Sequence, residues 1–132
     1  MIITATQKFT RQTPRKMRLV ANTVKKMPLD QALQQLAVIE RRSTLVLMKT
    51  VKQAIANALN NHGLKFEDLK LDTILVTEGP RYKRFRAVSR GRAHEIKKRT
   101  SHVTVKLSTI ERTAPVTAPA VTEEKKAAKG AT

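Results

Sequence analysis

Residues 71–108 read LDTILVTEGPRYKRFRAVSRGRAHEIKKRTSHVTVKLS, and the fold turns on how the two ends of this stretch are joined. The first end, Leu71 to Thr77, is rich in β-branched residues and reads as a strand. At the other end Val103, Val105 and Leu107 alternate with Thr104, Lys106 and Ser108, the period-two pattern of a sheet with one buried face. Between them lie Arg81, Lys83, Arg84, Arg86, Arg90, Arg92, Lys97, Lys98 and Arg99, with Glu95 the one acid inside the run. Such a segment is too long for a tight turn, and structureless loops of that size are uncommon in compact domains. It is either a disordered loop or a two-stranded arm that turns near Ser89-Arg90-Gly91, where glycine accepts a positive φ. The arm is the better reading. So basic a hairpin, with few apolar residues of its own, is marginal in water, and its order should depend on the surface that receives it.

Working outward, residues 2–9, with Ile3, Ala5 and Thr6, form a weaker third strand. A helix is expected from Thr13-Pro14, a capping residue followed by a proline that loses no bond at the first helical position. On it Met17, Val20, Ala21 and Val24 make an apolar stripe, while Arg15, Arg18, Asn22 and Lys25 fall on the opposite side. A short second helix is expected to start at Asp30 as N-cap and to bury Leu33 and Leu36. A long third helix, about 41–61, is expected to bury Leu45, Met48, Val51, Ile55, Ala58 and Leu59 and to close at Gly63. A loop should follow around Lys65-Asp68. The fold class is therefore α+β: three helices packed on a small antiparallel three-stranded sheet, with a long basic β-hairpin projecting over about residues 78–104.

The chain of 132 residues holds 27 Lys plus Arg against 10 Asp plus Glu, a formal net charge of +17, so its partner should be negative. Residues from about 112 onward (RTAPVTAPAVTEEKKAAKGAT) lack periodicity and read as a disordered tail, which leaves 1–111 as one domain. No apolar run approaches the ~20 residues that span a bilayer, and the N-terminus lacks a signal-peptide core, so a soluble cytoplasmic protein is expected. Cysteine is absent, which removes disulfides and thiolate metal sites.

Guanidinium groups bind phosphates bidentately and stack on bases, and Tyr82 and Phe85 interleave with the cations at a spacing that permits base stacking. The expected RNA-binding set is accordingly the arm (Arg81, Tyr82, Lys83, Arg84, Phe85, Arg86, Arg90, Gly91, Arg92, His94, Lys97, Lys98, Arg99, His102) together with the basic side of the first helix and its approach (Lys8, Arg11, Arg15, Lys16, Arg18, Lys25). No catalytic residue, metal ligand or cofactor is expected. His62, His94 and His102 have no ligand spacing, Glu67 and Asp68 fall in the expected loop, and no phosphate-binding Gly loop or nucleophile elbow occurs. His94-Glu95 lies beside Lys97 and Lys98, where a partly neutralised RNA-facing pair is the simpler reading than acid–base chemistry.

TPRKMRLVAN at 13–22, AIANALNNHGL at 54–64 and EGPRYKRFRAVSRGRAHEIKKRTSHVTV at 78–105 resemble the large-subunit ribosomal protein L-twenty-two family in its bacterial form, over roughly residues 6–108. Arg84, Arg90, Gly91, Arg92, Lys98, Arg99 and His102 match the family's motif. The resemblance implies a structural component of the large ribosomal subunit whose globular domain binds rRNA near the exit of the nascent-peptide tunnel. It also implies that the hairpin tip, about residues 82–92, lines the tunnel beside the L-four protein and the nascent peptide in transit. Neighbouring ribosomal proteins would be its partners, with no membrane and no homo-oligomer. The chain departs from the family in Ala87-Val88, where a Pro-Arg pair is common, in Lys26-Met27, where a Gly-containing turn is usual, and in its extra tail. The competing class is an architectural DNA-binding protein, because a basic β-arm can also enter a minor groove. Such arms usually work as dimers with an apolar or proline wedge at the tip, and this tip is arginine-rich. A basic membrane-surface module is a third class, but the apolar faces of these helices are committed to the core.

Overall fold

The computed structural model describes residues 1–110. The disordered tail expected from about residue 112 lies outside the described residues. The elements run β1 (Ile2–Thr10), α1 (Pro14–Val24), α2 (Leu29–Val38), α3 (Arg42–His62), a 3₁₀ turn (Phe66–Asp68), β2 (Leu69–Ala87) and β3 (Ala93–Thr109). The sheet is antiparallel in the order β1-β3-β2, so the last strand is the central one. This is the α+β architecture expected from the sequence.

One face of the sheet supplies Ile3, Ala5, Leu71, Ile74, Val103, Val105 and Leu107 to the core, and the helices cover it with Met17, Val20, Val24, Leu36, Leu47, Val51 and Ala54 among others. Leu71 pairs with Leu107 and Ile74 with Val105, a three-residue step against a two-residue one. The extra residue is a bulge, and it resets the alternation so that Leu69, Leu71 and then Ile74 all point inward.

α1 buries Met17, Val20, Ala21 and Val24, as its pattern predicts. Its N-cap is Thr13, although the Thr13 hydroxyl makes no capping bond, and Met17 N–H donates to the Thr13 carbonyl at 3.2 Å. In α2 the N-cap is Pro28 rather than Asp30; Asp30 sits in the first turn, where a carboxylate complements the helix dipole. Leu36 is buried there with Leu29 and Ala32, and Leu33 is half-buried against the core.

The stripe on α3 requires correction. Val51, Ile55 and Ala58 are buried, but Leu45 is 60% and Leu59 41% exposed, and Met48 is half-buried. The inward face is Thr44, Leu47, Thr50, Val51, Ala54, Ile55 and Ala58. Residues 45–48 are all apolar and leave the helical phase ambiguous, whereas the true face uses two threonines that hydropathy does not mark. Thr50 tolerates burial because its hydroxyl donates to the Val46 carbonyl at 2.9 Å. Gly63, at φ 62, ends the helix in the left-handed region, and its N–H and that of Leu64 donate to the Leu59 and Ala58 carbonyls.

Candidate nucleic-acid interface

β2 and β3 continue past the core as a paired arm, with Arg81 opposite Arg99, Lys83 opposite Lys97 and Ala87 opposite Ala93. Residues 81–99 are all exposed. Seven residues per strand from 81 to 87 project about 23 Å at ~3.3 Å each. The turn is closed by Arg92 N–H donating to the Ser89 carbonyl (3.4 Å) and Val88 N–H to the Arg92 carbonyl (2.9 Å). Arg90 and Gly91, the central residues of the four-residue turn 89–92, have φ 60 and 67, and three residues lie between Val88 and Arg92.

The register sorts the side chains. Arg81, Lys83, Phe85, Glu95, Lys97 and Arg99 share one face; Tyr82, Arg84, Arg86, His94, Ile96 and Lys98 share the other. Like charges directly opposite one another at 81/99 and 83/97 oppose pairing. The opposing attractions are few and exposed: Lys97 to Glu95 at 3.9 Å, Arg81 to Glu78 at 2.8 Å, and the Arg84 guanidinium 5.9 Å from the centre of the Tyr82 ring. A polyanion laid on the arm would remove this repulsion.

The base of the arm is tied down tightly. A second bulge falls between Glu78 and Arg81. Thr100, buried, donates to the Pro80 carbonyl at 2.7 Å, and Ser101, fully buried, donates to the Gln12 carbonyl at 3.1 Å. At Gly79 a Cβ would stand 2.5 Å from the Thr100 hydroxyl and 3.2 Å from His102 ring atoms, so any larger residue forces its neighbours to shift. Arg18 donates two N–H groups to the Val76 carbonyl at 3.2 and 3.3 Å and thereby fixes α1 to β2. The Glu78 carboxyl is held below its ordinary pKa by the Arg81 hydrogen bond and charge, with Arg18 and Arg99 adding to the effect.

Between arm, α1 and the start of α3 lies an open cleft of about 1540 Å³, larger than the ~300–1,000 Å³ of small-ligand pockets. Its walls bring together Arg11, Arg15, Lys16, Tyr82, Arg84, Lys97, Lys98 and Arg99 from the expected set, and no Asp or Glu lines it. Among the lining residues outside that set, Phe9, Arg41 and Arg42 are the aromatic and cationic ones. The arginines carry a legible signal. α3 begins with Arg42 after Arg41 and has no acid in its first turn; α1 likewise opens with Arg15-Lys16 and no acid. Cations at the positive end of a helix oppose its dipole, a conflict that an incoming anion relieves.

The remaining expected residues are elsewhere. Lys83, Phe85, Arg86, Arg90, Gly91, Arg92 and His94 occupy the outer arm, and Arg81 is paired at its base. Lys25 lines a separate groove with Lys26 and Lys70. Lys8 is exposed on β1. His102 is half-buried and accepts the Phe9 N–H on Nδ1 at 2.9 Å, so part of its capacity serves the fold. Among the described residues no group of three or more His, Cys, Asp or Glu gathers as a metal site would require.

The model of the ribosomal protein L22p/L17e family matches residues 5–108, which takes in the helices, the arm and all but the outer ends of β1 and β3. The chain belongs to this family. It is also 48% identical over 98 residues to the large ribosomal subunit protein uL22 of Mesoplasma florum, covering 74% of this chain and 88% of that protein. The L22p/L17e family is a structural, non-enzymatic class, and membership makes the chain a structural component of the large ribosomal subunit, acting in translation in the cytoplasm within the ribosome.

Proposed function

We propose that residues 1–111 act as one rRNA-binding unit, in which the cleft grips the backbone of large-subunit rRNA near the tunnel exit and the arm extends inward to the nascent-peptide tunnel. The observation that carries this reading is the acid-free cleft, which draws cations from α1, α3 and both strands of the arm onto one surface. Arg84, Lys97, Lys98 and Arg99 at the base of the arm would hold phosphates beside Arg11, Arg15, Lys16, Arg41 and Arg42. Lys8, Arg18, Lys25, Arg81 and His102 are assigned to adjoining backbone. Tyr82 and Phe85, 45% and 74% exposed, would offer faces for unpaired bases along Lys83, Arg86 and His94. The turn at Arg90-Gly91-Arg92 would line the tunnel beside the L-four protein and the nascent peptide, with the two arginines on rRNA phosphates of the tunnel wall. That part rests on the family resemblance and on the length of the arm.

The test is competition binding. The full chain would be titrated with a large-subunit rRNA transcript and with duplex DNA of similar length, each over a range of salt. Preference for rRNA that persists as salt rises supports the proposal. Equal affinity for the two would instead support an architectural DNA-binding role and overturn it.

A further inference from the structure

Phe9 is an anomaly at three levels. It is a bulky residue at φ 54, in the left-handed region that side chains other than those of Gly, Asn and Asp rarely adopt. It lies where β1 slips against β3: Gln7 pairs with Val103 but Thr10 with Ser101, so an extra residue is accommodated between them. And its ring, although apolar, is 58% exposed on a wall of the basic cleft rather than packed in the core. Nothing in the folding of the sheet requires an aromatic ring there, since a glycine would take this backbone at lower cost.

The surroundings hold the ring in place. Its backbone N–H donates to His102 Nδ1, and the two rings meet edge to face at 4.9 Å and 89°. His102 in turn lies close to Gly79, where an added Cβ would crowd its ring at 3.2 Å. Bulge, hydrogen bond and ring contact together present Phe9 to the cleft beside Arg11 and Arg15.

We infer that Phe9 is a nucleobase-stacking platform: it receives one unpaired base of the RNA in the cleft while neighbouring cations hold the flanking phosphates. The inference rests on the rRNA-binding reading above and adds to it a contact to a base made by the body of the protein, distinct from those expected along the arm. An RNA base is the occupant the surroundings favour, because an apolar protein partner in this cleft would have to desolvate the cations that line it, whereas a nucleotide brings its own phosphates to them.

The experiment compares full-length wild type, Phe9→Gly, Phe9→Leu and Phe9→Trp in binding to a large-subunit rRNA transcript over a salt series. Phe9→Gly keeps the positive φ and removes the ring; Phe9→Leu keeps apolar bulk without a π face. Both should weaken binding by about 5- to 150-fold at fixed salt, the effect of losing one stacked base, with the slope of log K against log salt unchanged. Phe9→Trp should bind about as tightly as wild type. If wild type binds rRNA preferentially and Phe9→Gly matches it, the platform is refuted while the rRNA reading stands. If wild type shows no preference for rRNA over duplex DNA, the rRNA reading fails and the platform with it. A loss in Phe9→Gly that Phe9→Trp shares would also refute stacking.

Discussion

Replacing Arg84, Arg90 and Arg92 together by Ala separates what the arm does for folding from what it does for binding. All three side chains are exposed, and the internal contacts of Arg84 are a bond to the adjacent Lys83 carbonyl at 2.7 Å and its approach to Tyr82. Surface substitutions of this kind change stability by about 0.5 kcal/mol or less each. Removing three like charges from a hairpin that already pairs cation against cation partly offsets even that. Arg90 holds φ 60, but Ala is no more strained there than Arg, so the turn survives. The binding side is different. If each arginine meets one phosphate, the slope of log K against log salt becomes shallower by roughly 2–3 units, at ~0.7–0.9 per contact. Between about 50 and 200 mM salt the variant would then lose roughly 20- to 40-fold less affinity than the wild type, having started weaker. Thermal melts followed by circular dichroism, beside rRNA binding over a salt series, read both quantities. A large fall in Tm would show that the arm is integral to the core, and an unchanged slope would refute the phosphate contacts.

Three further outcomes test the packing. Leu47→Ala, at a fully buried position, should cost about 2–5 kcal/mol in chemical denaturation, while Leu45→Ala, 60% exposed and two residues away, should fall within about 0.5 kcal/mol; equal effects would mean that the face of α3 is misassigned. Gly79→Ala should destabilise by about 1–3 kcal/mol, because the Thr100 hydroxyl that it meets at 2.5 Å is buried and bonded to the Pro80 carbonyl; a neutral result would show that the base of the arm is slack. The Glu78 carboxyl is depressed by Arg81, so its contribution to stability is present above the ordinary carboxylate pKa of 4.5 and is lost as pH falls through the lower folded value. Melting temperatures of wild type and Glu78→Gln should therefore converge on acidification, and a gap that widened instead would reverse the assigned sign.

How much was legible in the sequence differs from element to element. α1 could be placed because its apolar and basic residues segregate at helical spacing and Pro14 marks its start. β3 showed its buried half through alternation, whereas the strand character of residues 78–99 left no periodic trace, since both faces of the arm are polar; the length of the segment and the glycine at 91 argued for a hairpin there. α3 was located correctly but rotated, because burial of Thr44 and Thr50 depends on neighbours, and for Thr50 on a backbone hydrogen bond, rather than on hydropathy. Within the candidate site, the cations of the arm were evident as a run. The cleft was not, because it is assembled from positions 9–19, 41–43, 82–84 and 97–100, which only the sheet order and the packing of α1 and α3 bring together. Phe9 carried no signal at all, since its bulge arises from pairing with β3.

The most direct test of the central claim replaces residues 81–99 with a two-residue Asn-Gly turn, joining strands already linked by the Thr100–Pro80 hydrogen bond, and follows tagged protein through sucrose gradients of cell lysate at rising salt. The full chain should migrate with the large ribosomal subunit and resist salt, and the armless chain should fold but dissociate at lower salt. Full-length protein that travelled with chromosomal DNA, or an armless chain as salt-resistant as the whole, would contradict the assignment of the arm to rRNA.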